Sequence, residues 1–280
     1  MIAAGVLAFR EGLEAALVIG IVLGILRQIG RSSYGRMVWL GAAVAGLVSL
    51  TAGLGLQALG IAFEGPAEAI FEGLAMLAAG GVLTWMIFWM DRQGRSVQTD
   101  LEQDVQEAAG GGRWAVLSLA FVAVLREGIE LALFLTAAAF TATAGATLVG
   151  ALLGLAGAAV AGWLLFATTA RLNVRSFFRL TSFLLILFAA GLVAHGVHEL
   201  NEIGWIPPVV EPLWDLNPVL DEGSGLGQLL SALFGYNGNP SLTEVTAYVG
   251  YWAVVLLALL RGKKVAAIRR SDTPPKPARS

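Results

Sequence analysis

The stretch Phe9-Arg10-Glu11-Gly12-Leu13-Glu14 sets three ionisable residues inside an otherwise apolar run from Ile2 to Leu26. A near-copy, Leu125-Arg126-Glu127-Gly128-Ile129-Glu130, lies inside a second apolar run. A charged side chain at the centre of a bilayer costs roughly 2.5–3.5 kcal/mol on insertion scales, so such residues persist mainly where they are paired or functional. Two matching triplets argue for one shared role.

The surrounding composition, 57% hydrophobic and 14% charged, with several apolar runs long enough to span a bilayer, predicts an all-α, polytopic membrane protein. The 35 glycines suit close helix–helix contact in lipid. The absence of cysteine excludes disulfides, thiolate metal sites and thiol redox chemistry. Basic residues fall in small loop clusters without a basic domain, so nucleic acid is not an expected partner.

Seven membrane spans are predicted in order. The first, Ile2 to Leu26, lacks a basic leading region and a small-residue cleavage site, so it reads as a retained helix rather than a signal peptide. The second runs from Met37 to Phe63 and the third from Ala67 to Met90, with Pro66 suited to a helix start. A polar loop over 91–113 contains a candidate surface helix, Val97 to Ala109, and ends in a flexible Gly110-Gly111-Gly112 joint. The fourth span, Trp114 to Thr141, carries the second motif; the fifth runs to Thr169 and the sixth from Phe177 to Val197. An external loop follows over 199–244, without Lys or Arg and with Trp205 and Trp214 suited to a membrane interface. The seventh span is Val245 to Leu260, which closes a permease domain over 1–262 and leaves a basic, Pro-rich, disordered tail over 263–280.

Basic residues set the orientation. Apart from Arg10 and Arg126, all 16 Lys and Arg residues follow spans one, three, five and seven, and the loops after spans two, four and six have none. The expected topology has the N-terminus outside and the C-terminus cytoplasmic, in a plasma (bacterial inner) membrane. With three spans between the motifs, segments 1–90 and 114–198 become two inverted three-helix repeats, to which the seventh helix is added. Transporters recurrently use that plan and bind cargo near the midplane.

Within each motif the Arg and second Glu are i,i+4 neighbours, and the two carboxylates are i,i+3, so both carboxylates can share one helix face. Gly12 and Gly128 open a gap for a neighbouring helix or an ion. If the motifs meet, Glu11, Glu14, Glu127 and Glu130 converge as oxygen ligands, an arrangement that a cation or protons must neutralise. Hard oxygen ligands suit hard cations, without selecting one. A single Arg–Glu pair can merely hold a bundle together; the duplication points to a cation pathway. No enzyme is expected: Ser224, the one suggestive nucleophile for an intramembrane hydrolase, falls in the external loop. A non-transporting subunit of a redox complex is a third class.

The paired Arg-Glu-Gly-Leu-Glu and Arg-Glu-Gly-Ile-Glu motifs, in the first and fourth of seven expected spans, resemble those of the oxidase-dependent iron permease family, which includes fungal high-affinity iron permeases and bacterial iron-uptake permeases. The resemblance covers about residues 1–262, with Ile129 replacing Leu in the second motif. It implies that Arg10, Glu11, Glu14, Arg126, Glu127 and Glu130 take part in binding and moving iron, as Fe2+ or Fe3+, without an organic cofactor. It also implies membrane lipid as surroundings and an extracytoplasmic oxidase or iron-delivery protein as partner. The alternative is another divalent cation, or protons, carried on the same carboxylates.

Secondary candidates lie on the expected outer side. Glu68 and Glu72 are i,i+4, and His195, His198 and Glu199 are i, i+3, i+4, a spacing compatible with metal capture from one helix face. Interfacial charges and helix-end hydrogen bonding are the plainer readings. Asp100, Glu102, Asp104 and Glu107 fall on the cytoplasmic side, as ion receivers or as an acidic surface helix.

Overall fold

The structure, a computed structural model, describes residues 1–93, 97–167 and 174–271, with side chains other than those at 61, 90–93, 97–100, 167, 174–179 and 262–271. The described residues form nine α-helices and one 3-10 turn, Ser32–Tyr34. The helices are α1 (Ile2–Gln28), α2 (Gly35–Ala62), α3 (Pro66–Gln93), α4 (Val97–Gly111), α5 (Arg113–Phe140), α6 (Ala144–Ala167), α7 (Val174–Glu202), α8 (Gly225–Phe234) and α9 (Leu242–Ser271).

Five stretches, Ser32–Gly60, Pro66–Trp89, Ala144–Phe166, Leu180–Glu202 and Leu242–Arg261, are long and apolar enough to cross a membrane. Helices α1 and α5 match them in length, at 27 and 28 residues, but each carries its three motif charges midway. Leu47, Val122, Leu153, Trp163 and Leu180 point outward and exposed. Apolar surface this widespread suits lipid, not water. The chain is an all-helical, multi-pass membrane protein.

Two buried clusters hold the bundle. One joins Leu7, Met76, Leu83, Met86, Phe134, Leu185, Leu192 and Val255 from α1, α3, α5, α7 and α9. The other joins Val22, Leu26, Val38, Val105, Ala109 and Val116 from α1, α2, α4 and α5. The polar segment between α3 and α5 is therefore not a free loop: α4 turns Val105 and Ala109 into the bundle and leaves Asp104 and Glu107 in the open.

Glycine contacts define the helix pairing. A side chain at Gly5 would meet Gly150, one at Gly12 would meet Leu155 and Ala158, and one at Gly162 would meet Ala16, so α1 and α6 run parallel. Gly41 faces Leu117 and Phe121, Gly128 faces Ser49 and Gly53 faces Ala132, so α2 and α5 are parallel too. Gly73 faces Gly196 and Leu200 while Gly80 faces Ala189 and Val193, so α3 and α7 are antiparallel.

The structure departs from the sequence reading in three places. The segment between α7 and α9 contains an unforeseen helix, α8, capped by Ser224 Oγ, which accepts from Gly227 N at 3.0 Å, and closed by the left-handed Gly235. Its apolar face was hidden by the Gly and acid residues around it. Helix α7 continues to Glu202, past the expected end of the sixth span at Val197, so 199–202, assigned to the loop, are helical. Helix α9 continues to Ser271, so 263–271, assigned to the tail, are helical; the tail from 272, with Arg95 and Arg171, lies outside the described residues. Its start is set by Ser241, whose Oγ accepts from Glu244 N at 3.1 Å in a Ser-x-x-Glu pattern.

The tight pairing of α1 with α6 is testable. A Cβ at Gly154 would collide with the backbone of Gly5 and Phe9, whereas one at Gly24 would meet nothing. Gly154→Val is expected to lose about 1–3 kcal/mol by overpacking. It should therefore melt several degrees lower in detergent, with Gly24→Ala unchanged or slightly higher.

Candidate functional site

The motifs meet where α1 and α5 cross. On α1, Arg10 is fully buried; its Nη1 donates to Glu11 Oε1 at 3.2 Å and its Nη2 lies 3.1 Å from Glu14 Oε1. The i,i+4 geometry of a helix makes the second pair and simple adjacency the first. On α5, Arg126 Nε donates to Glu130 Oε1 at 3.0 Å, while Glu127 and Glu130 are buried.

One carboxylate oxygen from each of Glu11, Glu14 and Glu127 lies within 4.8 Å of the others. Among the described residues no other group of three acidic or histidine side chains converges in this way. Glu130 adjoins the group through its charge, which acts on both Glu11 and Glu14. Glu11 Oε2, Glu127 Oε2 and Glu130 Oε2 are buried acceptors that no protein donor reaches. Most buried polar atoms in a folded protein do find a partner, so three such oxygens in one cluster call for a cation or for protons. The motif glycines seat neighbouring helices: Gly12 lets Leu155 and Ala158 of α6 press on α1, and Gly128 lets Ser49 of α2 press on α5.

The two arginines differ. Arg10 is enclosed, with Met86 Sδ of α3 3.3 Å from its Nη1, whereas the Arg126 side chain is 41% exposed and its guanidinium lies 4.7 Å from the centroid of the Trp89 ring. Met86 and Trp89 escaped the sequence reading because an apolar residue in an apolar span carries no distinguishing signal. Ser49, whose buried hydroxyl faces Gly128, escaped for a similar reason.

The outer candidates are placed as follows. Glu72, half-buried on α3, lies within electrostatic reach of Glu68, Glu199 and Glu202. His195 is engaged on both ring nitrogens, Nδ1 at 3.0 Å from Gly191 O and Nε2 at 3.1 Å from Ser231 Oγ, which links α7 to α8. His198 lies between Glu202 and Glu244, with nitrogen–oxygen distances of 3.6 and 3.3 Å. The ligand atoms of His195, His198, Glu199, Glu68 and Glu72 do not gather into one set as those of the motifs do. Glu202 was legible as the i+4 neighbour of His198; Glu244 was legible as a helix start, not as a histidine's partner. Glu102, Asp104 and Glu107 lie on α4, and the Asp100 side chain is outside the described residues.

A multi-pass helical bundle that buries a carboxylate cluster between two crossing helices has the build of a membrane permease. The chain belongs to the iron permease FTR1 family, whose model matches residues 1–271. It is 36% identical over 262 residues to the ferrous iron permease EfeU of Escherichia coli O6:K15:H31 (strain 536 / UPEC), covering 92% of this chain and 95% of that protein. It is 33% identical over 271 residues to the ferrous iron permease EfeU of Yersinia pestis, covering 94% and 96% respectively. No solved structure matches.

The unequal burial of the arginines gives a prediction. Removing one partner of a buried charge set costs about 3–5 kcal/mol, far more than at a half-exposed pair. Arg10→Gln should therefore melt markedly lower in detergent than Arg126→Gln, and equal losses would contradict the asymmetry.

Proposed function

We propose that the chain imports iron across the plasma (bacterial inner) membrane on the carboxylates of its two Arg-Glu-Gly-x-Glu motifs. The observation that carries this reading is the convergence of Glu11, Glu14 and Glu127 oxygens from α1 and α5, with buried acceptors left without donors. Two arginines against four glutamates give the fully ionised cluster a formal charge of −2. One divalent cation cancels that charge, and carboxylate oxygens suit such an ion. The relatives' names point to the ferrous ion as cargo.

In this reading all seven long helices, α1 to α3, α5 to α7 and α9, cross the membrane, and α1–α3 and α5–α7 are inverted repeats. Exchange of the two halves turns the parallel α1–α6 pair into the parallel α5–α2 pair and leaves the α1–α5 and α3–α7 pairs in place, which supports the symmetry. The motif arginines carry the charge compensation that lets α1 and α5 enter lipid. The basic residues put the N-terminus outside and the C-terminus in the cytoplasm. Glu68, Glu72, Glu199 and His198 then surround an outer approach, where negative charge concentrates cations ahead of the motif cluster. Any oxidase or delivery protein would meet the outer segment 203–241. The ion would leave toward α4, with Glu102, Asp104 and Glu107 nearby.

Replacing a ligand carboxylate by its amide keeps shape and removes charge. Glu14→Gln and Glu130→Gln, compared with the parent at equal amounts of folded, inserted protein, are expected to lose at least about tenfold of iron uptake into proteoliposomes, since a lost charge-assisted contact is worth about 1.5–3 kcal/mol. Uptake of manganese or zinc as fast as iron would point instead to a general cation carrier.

A further inference from the structure

Both motif arginines are contacted from α3, a helix outside the motifs. Met86 touches Arg10, and three residues further on, across the same face of the helix, the Trp89 ring carries Arg126. The two contacts differ in kind. A thioether is a weak acceptor, so Arg10 is fixed by its two carboxylates and by complete burial. Arg126 has room to move, and an indole face is the best of the aromatic rings at holding a guanidinium.

That property matters beside an ion site. The charges of Glu14, Glu127 and Glu130 all act on Arg126 and draw it toward the cluster. A guanidinium that moved inward would occupy the oxygens a cation needs and repel the cation directly. With the ring beneath it, the guanidinium keeps a single bond, to Glu130 Oε1, while Glu130 Oε2 and Glu127 Oε2 stay free of donors. Trp85 stacks against Trp89, with centroids 6.3 Å apart and planes 28° apart, and braces the ring.

We propose that Trp89 is a positioning residue: its ring holds Arg126 back from the carboxylate cluster and so sets the affinity for the transported cation. The proposal rests on the carboxylate pathway argued above. It makes the α3 face, rather than the motif alone, a determinant of how tightly the ion is held.

The test is initial-rate uptake of Fe2+ under reducing conditions, over a range of concentrations, into proteoliposomes holding the full-length protein. Trp89→Met, which fills space without a ring face, should raise KM about fivefold, the size an ordinary cation–π contact gives, with Vmax within about twofold. Trp89→Phe, which restores a ring face, should return KM to within about twofold of the parent. An unchanged KM in Trp89→Met, an equal effect of Met and Phe, or a loss confined to Vmax would each overturn the proposal. Trp89→Leu repeats the comparison should the Met variant fail to reach the membrane. Glu14→Gln in the same assay separates the two claims. If it transports normally, the carboxylate pathway itself falls. If it is inactive while Trp89→Met keeps the parental KM, only the role of Trp89 falls.

Discussion

The structure depends on one electrostatic constraint: Arg10 has no access to solvent and must be neutralised where it lies. An uncompensated charge in an apolar bundle is untenable, so Glu11 and Glu14 have to stay on the same turn of α1. Two acids for one base leave surplus negative charge, and α5 brings more rather than less. The bundle thus keeps excess acidic charge at its centre, and the same residues fix the placing of α1 against α5.

Close backbone approach lets the constraint be met twice. Gly12 and Gly128 sit inside their motifs, and each receives a neighbouring helix, α6 on one side and α2 on the other. Larger residues there would push α6 off α1 or α2 off α5. Small residues elsewhere, Gly5 with Gly150, Gly73 with Gly196 and Gly80 with Ala189, extend the packing along the bundle. In lipid, where burial of apolar surface gives little drive for helices to associate, such contacts carry much of the cohesion.

Much of this was legible in the sequence. The all-helical, membrane-spanning build and the surface helix were visible from hydropathy and charge, because apolar runs of bilayer length broken by polar loops have few other readings. Motif spacing and duplication made a meeting of the four motif carboxylates conditional on their helices touching; Glu11, Glu14 and Glu127 come together between α1 and α5. Helix α8 did not show, because ten residues flanked by glycines and acids look like loop until a cap and a packing surface are known. Nor did Trp89 and Met86, since a side chain's partner across helices depends on rotation and register that a lone sequence leaves open. The unequal fates of Arg10 and Arg126 were hidden for the same reason: near-identical motifs face different neighbours, Met86 in one case and Trp89 in the other.

His195 is committed to Ser231 and His198 to Glu202 and Glu244, so these rings tie α7 to α8 and α9. The most direct test of the account is an anomalous difference map at the iron edge from crystals loaded with Fe2+. The account predicts a peak within coordination distance of the Glu11, Glu14 and Glu127 carboxylates, between α1 and α5. A peak confined to the outer residues Glu68, Glu72, His198 and Glu199, with the motif carboxylates bare, would contradict it.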